Sequence, residues 1–134
     1  MNNEKLIEMA KEAREFSRTE ISNFKVGSAL LTKGGKVFLG CNIEDPSGIG
    51  VTNICAERCA IVKALSEGYS DFEKIAAVGG RDELISCTPC GVCRQYMNSF
   101  CPQIKVVCLD NNIIREYSLN EFLPYTFTEK FENS

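Results

Sequence analysis

Lys105-Val106-Val107-Cys108-Leu109-Asp110-Asn111-Asn112-Ile113-Ile114-Arg115-Glu116-Tyr117 decides the architecture. Two β-prone runs, 105–109 and 113–117, flank Asp110-Asn111-Asn112, residue types that accept a tight reversal. A connection this short joins antiparallel strands, because a parallel crossover needs about a dozen residues. Upstream, residues 90–100 read as a helix entered just after Pro89 and barred from continuing by Pro102. Residues 74–78 form an apolar run between Asp71 and Gly79-Gly80, as expected of a buried central strand, and 81–89 read as connecting loop. Earlier still, a helix over about 55–67 stops at Gly68 and follows a loop, 45–52, that holds Pro46, Gly48 and Gly50. Residues 26–31 and 37–42 make a hairpin about Lys33-Gly34-Gly35-Lys36. At the start, Leu6, Met9, Ala10, Ala13 and Phe16 recur at helical spacing over 4–17. Residues 119–123 suit a short final helix. The order is therefore helix, two strands, helix, strand, helix, two strands, helix, which predicts a three-layer α/β/α sandwich around a mixed five-stranded sheet.

Composition narrows the function. At 134 residues and 44% hydrophobic content, the chain suits one domain, 1–134, with a core large enough to fold without disulfides. Fifteen Lys and Arg against eighteen Asp and Glu, with no basic run, argue against nucleic acid as a partner. No apolar run approaches the roughly 18 residues of a membrane span, and 1–16 lacks the features of a secretory leader, so the expected location is cytoplasmic. The chain has no histidine, which excludes every triad or metal site that needs imidazole. It has eight cysteines. In a reducing compartment these are metal ligands, redox thiols or small core residues rather than a disulfide framework.

Position separates those roles. Cys90-Gly91-Val92-Cys93 opens a helix with spacing that lets two thiolates hold one metal, and Cys55, at another helix start, offers a third. Three sulfurs leave one position open and suit Zn2+. Helix N-termini favour thiolate, and Arg58 and Arg94 lie beside these cysteines to offset their charge. Glu57, two residues after Cys55, reads as a proton carrier. Positions two apart lie about 200° around a helix axis, so this reading needs the site to sit off the helix end. Other readings stay open on the residues alone. A C-x-x-C opening a helix is also a redox dithiol, and Cys59 could close a four-sulfur structural site with Cys55, Cys90 and Cys93. Cys87, Cys90, Cys93 and Cys101 superficially resemble an iron-sulfur series, although the last gap holds seven residues. Cys41, Cys101 and Cys108 read as small buried residues.

Cys55-Ala56-Glu57-Arg58 together with Pro89-Cys90-Gly91-Val92-Cys93-Arg94-Gln95 resembles the zinc cytidine deaminases, as do Phe24-Lys25-Val26-Gly27-Ser28-Ala29-Leu30, Gly40-Cys41-Asn42-Ile43-Glu44 and Leu123-Pro124. The resemblance implies hydrolytic deamination at C4 of a cytosine ring, with Glu57 protonating N3 and then the departing amine. It further implies that Asn42 and Glu44 bind ribose hydroxyls, that Phe24 lines the base pocket, and that Phe127 reaches a neighbouring subunit's site in a homotetramer of the free-nucleoside type. Cytidine and deoxycytidine are the implied substrates and pyrimidine salvage the implied role. The chain departs from the family at Asp45-Pro46-Ser47-Gly48-Ile49-Gly50, where the family usually has Asn-Ala-Ser-Tyr-Gly. That change keeps a modified nucleoside such as blasticidin S as an alternative substrate, and a redox or non-enzymatic cysteine protein as an alternative class.

Overall fold

Helix α1, Asn3–Arg14, begins where the Asn2 side chain accepts a hydrogen bond from the Lys5 backbone N–H at 2.8 Å. Leu6, Ile7, Ala10 and Ala13 form its buried stripe. The structure, a computed structural model, describes residues 1–122. The helix ends three residues before the sequence stripe does, and Phe16 is 76% exposed. The N–H groups of Glu15, Phe16 and Ser17 bond to carbonyls three residues back, which tightens the last turn and takes the chain off the α path. Arg14 is drawn aside at the same point to donate to the carbonyls of Lys25, Gly80 and Arg81.

Strands β1, Lys25–Thr32, and β2, Val37–Cys41, pair antiparallel, and β1 pairs antiparallel with β3, Phe72–Gly80. Strand β5, Lys105–Asp110, lies parallel to β3, and β6, Ile113–Ser118, antiparallel to β5. The last hairpin is as expected: Asn111 and Asn112 both take positive φ, 51° and 66°, as a tight reversal between twisted strands requires. The spatial order is β2-β1-β3-β5-β6, and a further strand, β4, Leu84–Ile85, pairs with the end of β3. Among the described residues the sheet thus has six strands rather than five. Residues 84 and 85 read as loop because two residues cannot display a period of two.

Two cores explain the layers. On one face, Leu6, Ile7 and Ala10 of α1 pack against Ala29, Leu31, Ala76, Val78 and Val107. On the other, α2, Ala56–Ser66, and α3, Gly91–Phe100, bury Ala60, Ile61, Ala64, Cys93 and Met97 against Leu30, Phe38, Ile75 and Val106. Cys101 and Cys108 join that second core, whereas Cys41 is only half-buried. The alternation along β1 and β3 sends successive side chains to opposite cores. Residues 119–121 make one 3-10 turn, with Ser118 and Glu121 forming a reciprocal cap.

Gly40 sets how closely α2 approaches the sheet. A Cβ there would clash with the Ala56 carbonyl oxygen and lie 2.5 Å from the Ala60 N, both backbone atoms that cannot swing away. Gly40→Ala is expected to cost about 1–3 kcal/mol, the usual penalty of overpacking, and to lift the helix that carries the site. Urea unfolding of the variant checks this. Among the described residues, no helix is long and apolar enough to cross a membrane.

Candidate active site

The two cysteine-bearing helix starts meet at one end of the sheet's second face. Cys55 and Cys90 are not within their helices but are the residues just before them, with extended backbone (φ −77°, ψ 154° and φ −69°, ψ 166°). Neither side chain caps its own helix. Both sulfurs are thereby released off the helix ends, as the sequence argument required of a site shared with Glu57. Cys93, in the first turn of α3, is fully buried behind them.

The Cys55 and Cys90 sulfurs are 3.6 Å apart, those of Cys90 and Cys93 3.5 Å, and all three lie within 4.8 Å of one another. Tetrahedral zinc with Zn–S bonds of about 2.3 Å places its sulfurs about 3.8 Å apart, so this spacing fits the ion. The charge fits as well. Hydrogen bonding from Cys93 holds the Cys55 thiol down at about 5, against the opposing effect of burial, and Cys90 and Arg58 add to it. Cys93, as the partner in that bond, is pushed up. Arg58 donates through Nη2 to the Asn53 carbonyl at 3.1 Å, while its buried Nε has no acceptor among the described residues. A guanidinium kept beside thiols with one donor unanswered suits an anionic sulfur cluster better than a neutral one.

Glu57 follows Cys55 into the first turn of α2 and is only 4% exposed. Burial pushes its carboxyl up to about 7, with the neighbouring Cys55 adding a smaller repulsion and its own backbone N–H holding it back. A carboxyl at this value can both give and take a proton near neutrality. The same shift has a sign for stability. The folded, metal-free chain favours the neutral acid, so the stabilisation is complete below the ordinary value of 4.5 and is lost as pH rises through about 7. Metal-free protein is therefore expected to lose about 3 kcal/mol between pH 4.5 and 8 from this group. Urea unfolding of the parent and of Glu57→Gln across that range measures it as the difference between their pH dependences, since the Cys55 thiol, held down at about 5, contributes a slope of opposite sign to both.

Cys55, Glu57 and Cys90 open onto a cavity of about 320 Å3 that Phe24, Val26, Asn42, Asn53, Arg58 and Cys87 also line. A wider hollow of about 740 Å3 beside Met1, Lys5, Lys33 and Glu73 gathers no thiol.

The description of the cytidine and deoxycytidylate deaminase zinc-binding region matches residues 1–109. The chain belongs to that family. A cytidine deaminase of Halalkalibacterium halodurans is 44% identical over 135 residues, spanning 99% of each chain. A blasticidin-S deaminase of Bacillus cereus is 32% identical over 81% of each. The crystal structure of a cytidine deaminase from Burkholderia pseudomallei superposes with a TM-score of 0.85 at 43% identity, covering 95% of this chain and all of that one. The mixed sheet between helical layers is the fold of these deaminases, and the three-sulfur cluster lies within the region that the family's zinc-binding description matches.

The remaining residues that the sequence singled out take different places in this deaminase fold. Asn42 lines the cavity, and its side chain bridges the strand start, with Oδ1 accepting from the Val26 N–H at 2.9 Å and Nδ2 donating to the Phe24 carbonyl at 2.8 Å. It holds the backbone on either side of Lys25, next to the Phe24 and Val26 side chains that line the cavity. Glu44 stands outside the lining, where its Oε1 accepts from the N–H groups of Ile21 and Ser22, both at 3.1 Å. Hydrogen bonding from Ser22, through side chain and backbone, keeps its carboxylate below the ordinary value. Arg94 aims its fork at the loop rather than the sulfurs, donating to the Pro89 carbonyl at 2.6 Å, the Phe122 carbonyl at 3.1 Å and Thr88 Oγ1 at 3.2 Å. It braces the segment that carries Cys90. Phe127 and Leu123-Pro124 lie outside the described residues.

Sequence reasoning gave no site role to Val26, Asn53 or Cys87. Val26 was visible as the first residue of a strand, and only its place beside Phe24 marked it. Asn53 answers the N–H of Asp45 at 2.6 Å and so ties the altered loop to the cavity wall. Asp45 in turn accepts from Ser47 N–H at 2.8 Å and from the Thr52 hydroxyl, which closes the loop on itself.

Proposed function

We propose that this chain catalyses the hydrolytic deamination of cytidine and deoxycytidine to uridine and deoxyuridine, releasing ammonia. The observation that carries this reading is a buried carboxyl and a three-sulfur cluster opening onto one cavity. Cys55, Cys90 and Cys93 would hold zinc, which supplies the Lewis acidity that makes water nucleophilic at neutral pH. Glu57 is the proton carrier: its carboxylate takes one proton of the added water and delivers it to N3 of the pyrimidine, then takes the second and delivers it to the departing amine, which leaves as ammonia while the water's oxygen stays at C4. Phe24 lies along the base, and Asn42 and Glu44 receive the ribose hydroxyls. The bonds Asn42 makes to Phe24 and Val26 fix its amide, leaving one N–H and one lone pair for the sugar. Glu44 similarly keeps Oε2 for a hydroxyl while Oε1 is tied to the backbone. Arg58 offsets the charge of the sulfurs directly, and Arg94 does so at longer range while it braces the loop.

Residues 1–134 act as one domain in the cytoplasm, in the salvage of pyrimidine nucleosides. The active form is a homotetramer in which Phe127 reaches a neighbouring subunit's site. Loss of the cytidine absorbance band on adding zinc-loaded protein tests the activity, with deoxycytidine and blasticidin S as parallel substrates. Stable absorbance with all three overturns it. A preference for blasticidin S would favour the second reading, which the 32% identical relative supports.

A further inference from the structure

Gly79 occupies the last part of β3, where its backbone pairs with Val26 of β1 and Ile85 of β4. It takes no positive φ, so no backbone conformation calls for glycine here. Space calls for it instead. A Cβ at position 79 would lie 3.0 Å from the Cys87 sulfur, 3.0 Å from Val26 Cγ2 and 3.2 Å from Phe24 Cε1. Contacts that short are rare for Cβ atoms, and three different side chains make them here. All three of these side chains line the cavity that Cys55, Glu57 and Cys90 open onto. The strand backbone behind Gly79 is fixed by pairing on both sides, so a methyl group there could be accommodated only by moving the wall toward the cavity.

Cys87 belongs to the same arrangement. It is not one of the three clustered sulfurs, and it forms no disulfide. Its sulfur lies over Gly79 in the space a side chain there would fill.

We propose that Gly79 and Cys87 are a matched pair that sets the depth of the base pocket, the thiol filling the place of the missing side chain and completing an apolar wall with Phe24 and Val26. The inference rests on the cytidine deaminase reading, because a pyrimidine that presents C4 to the sulfur cluster and N3 to Glu57 must lay its ring along this wall. Cys87 and Gly79 are then specificity-determining residues, acting through shape. One methylene in an apolar pocket changes binding by about 10-fold or more, which sets the scale of the effect.

The test measures kcat and KM for cytidine, with zinc content, in Gly79→Ala, in Cys87→Met and in Gly79→Ala combined with Cys87→Ala. Gly79→Ala is expected to raise KM about tenfold with zinc still at one per chain. The double variant should recover part of that loss, because truncating the thiol removes one of the three close contacts and lets the new methyl shift toward the space it leaves. Cys87→Met adds bulk to the same wall while leaving the sequence of the strand unchanged, and should raise KM with zinc retained even if Gly79→Ala does not fold. The proposal is overturned if Gly79→Ala and Cys87→Met keep the KM of the parent, if the double variant is no better than Gly79→Ala, or if the loss appears in zinc content. A parent protein that does not turn over cytidine overturns the functional reading itself, which separates the two failures.

Discussion

Replacing Glu57 with glutamine is expected to leave one zinc per chain and lower kcat by about 10²–10⁴-fold with little change in KM. The side chain is buried, so glutamine keeps its volume, and Glu57 is not among the clustered sulfur donors. What changes is the proton. A carboxyl pushed to about 7 by burial is half loaded near neutrality and can deliver to N3, collect again and deliver to the amine. An amide does neither. Zinc analysis alongside ultraviolet kinetics separates the outcomes: unchanged turnover removes Glu57 from the chemistry, whereas loss of zinc would make it part of the metal site. The pH profile carries a second reading, since the limb set by the carboxyl should vanish from whatever activity is left in the variant.

How far the sequence reached depends on the kind of signal each feature leaves. The final hairpin was legible because Asp110-Asn111-Asn112 is chemistry that only a short reversal uses, and both asparagines adopt positive φ. The stripe of α1 was legible up to Ala13, but Phe16 kept the helical spacing after the helix had ended, since periodicity does not register Arg14 turning away to three carbonyls. Strand β4 was too short to have a pattern. In the site, the spacing of Cys90 and Cys93 marks a metal pair by itself, while bringing Cys55 within 3.6 Å of Cys90 depends on two helices converging at one sheet end. No local pattern encodes that convergence. It is set by close approaches such as Gly40 against α2. The wall at Gly79 was invisible for the same reason, because a glycine needed for room beside distant side chains looks like any loop-bounding glycine.

The second large effect concerns the sulfurs. Cys55→Ala, Cys90→Ala and Cys93→Ala should each lower zinc affinity by more than the 10–100-fold seen when an outer partner of a metal site is removed, because each deletes a ligand. Cys59→Ala and Cys87→Ala should keep one zinc per chain. Cys59 lies a full turn into α2, with its N–H committed to the Cys55 carbonyl at 2.9 Å, and its sulfur is not among those clustered. The measurement need not depend on activity. Zinc that binds only the folded chain stabilises it by about 4 kcal/mol when present at 1,000 times its dissociation constant. Thermal unfolding with and without zinc should therefore show a large rise for the parent, Cys59→Ala and Cys87→Ala, and a small one for the three ligand variants. A zinc-dependent rise lost in Cys59→Ala would instead mean a closed four-sulfur site with no position left for water, and a structural rather than catalytic metal. The two possibilities thus differ in a single variant, and the 3.5 and 3.6 Å sulfur distances among Cys55, Cys90 and Cys93 favour the open one.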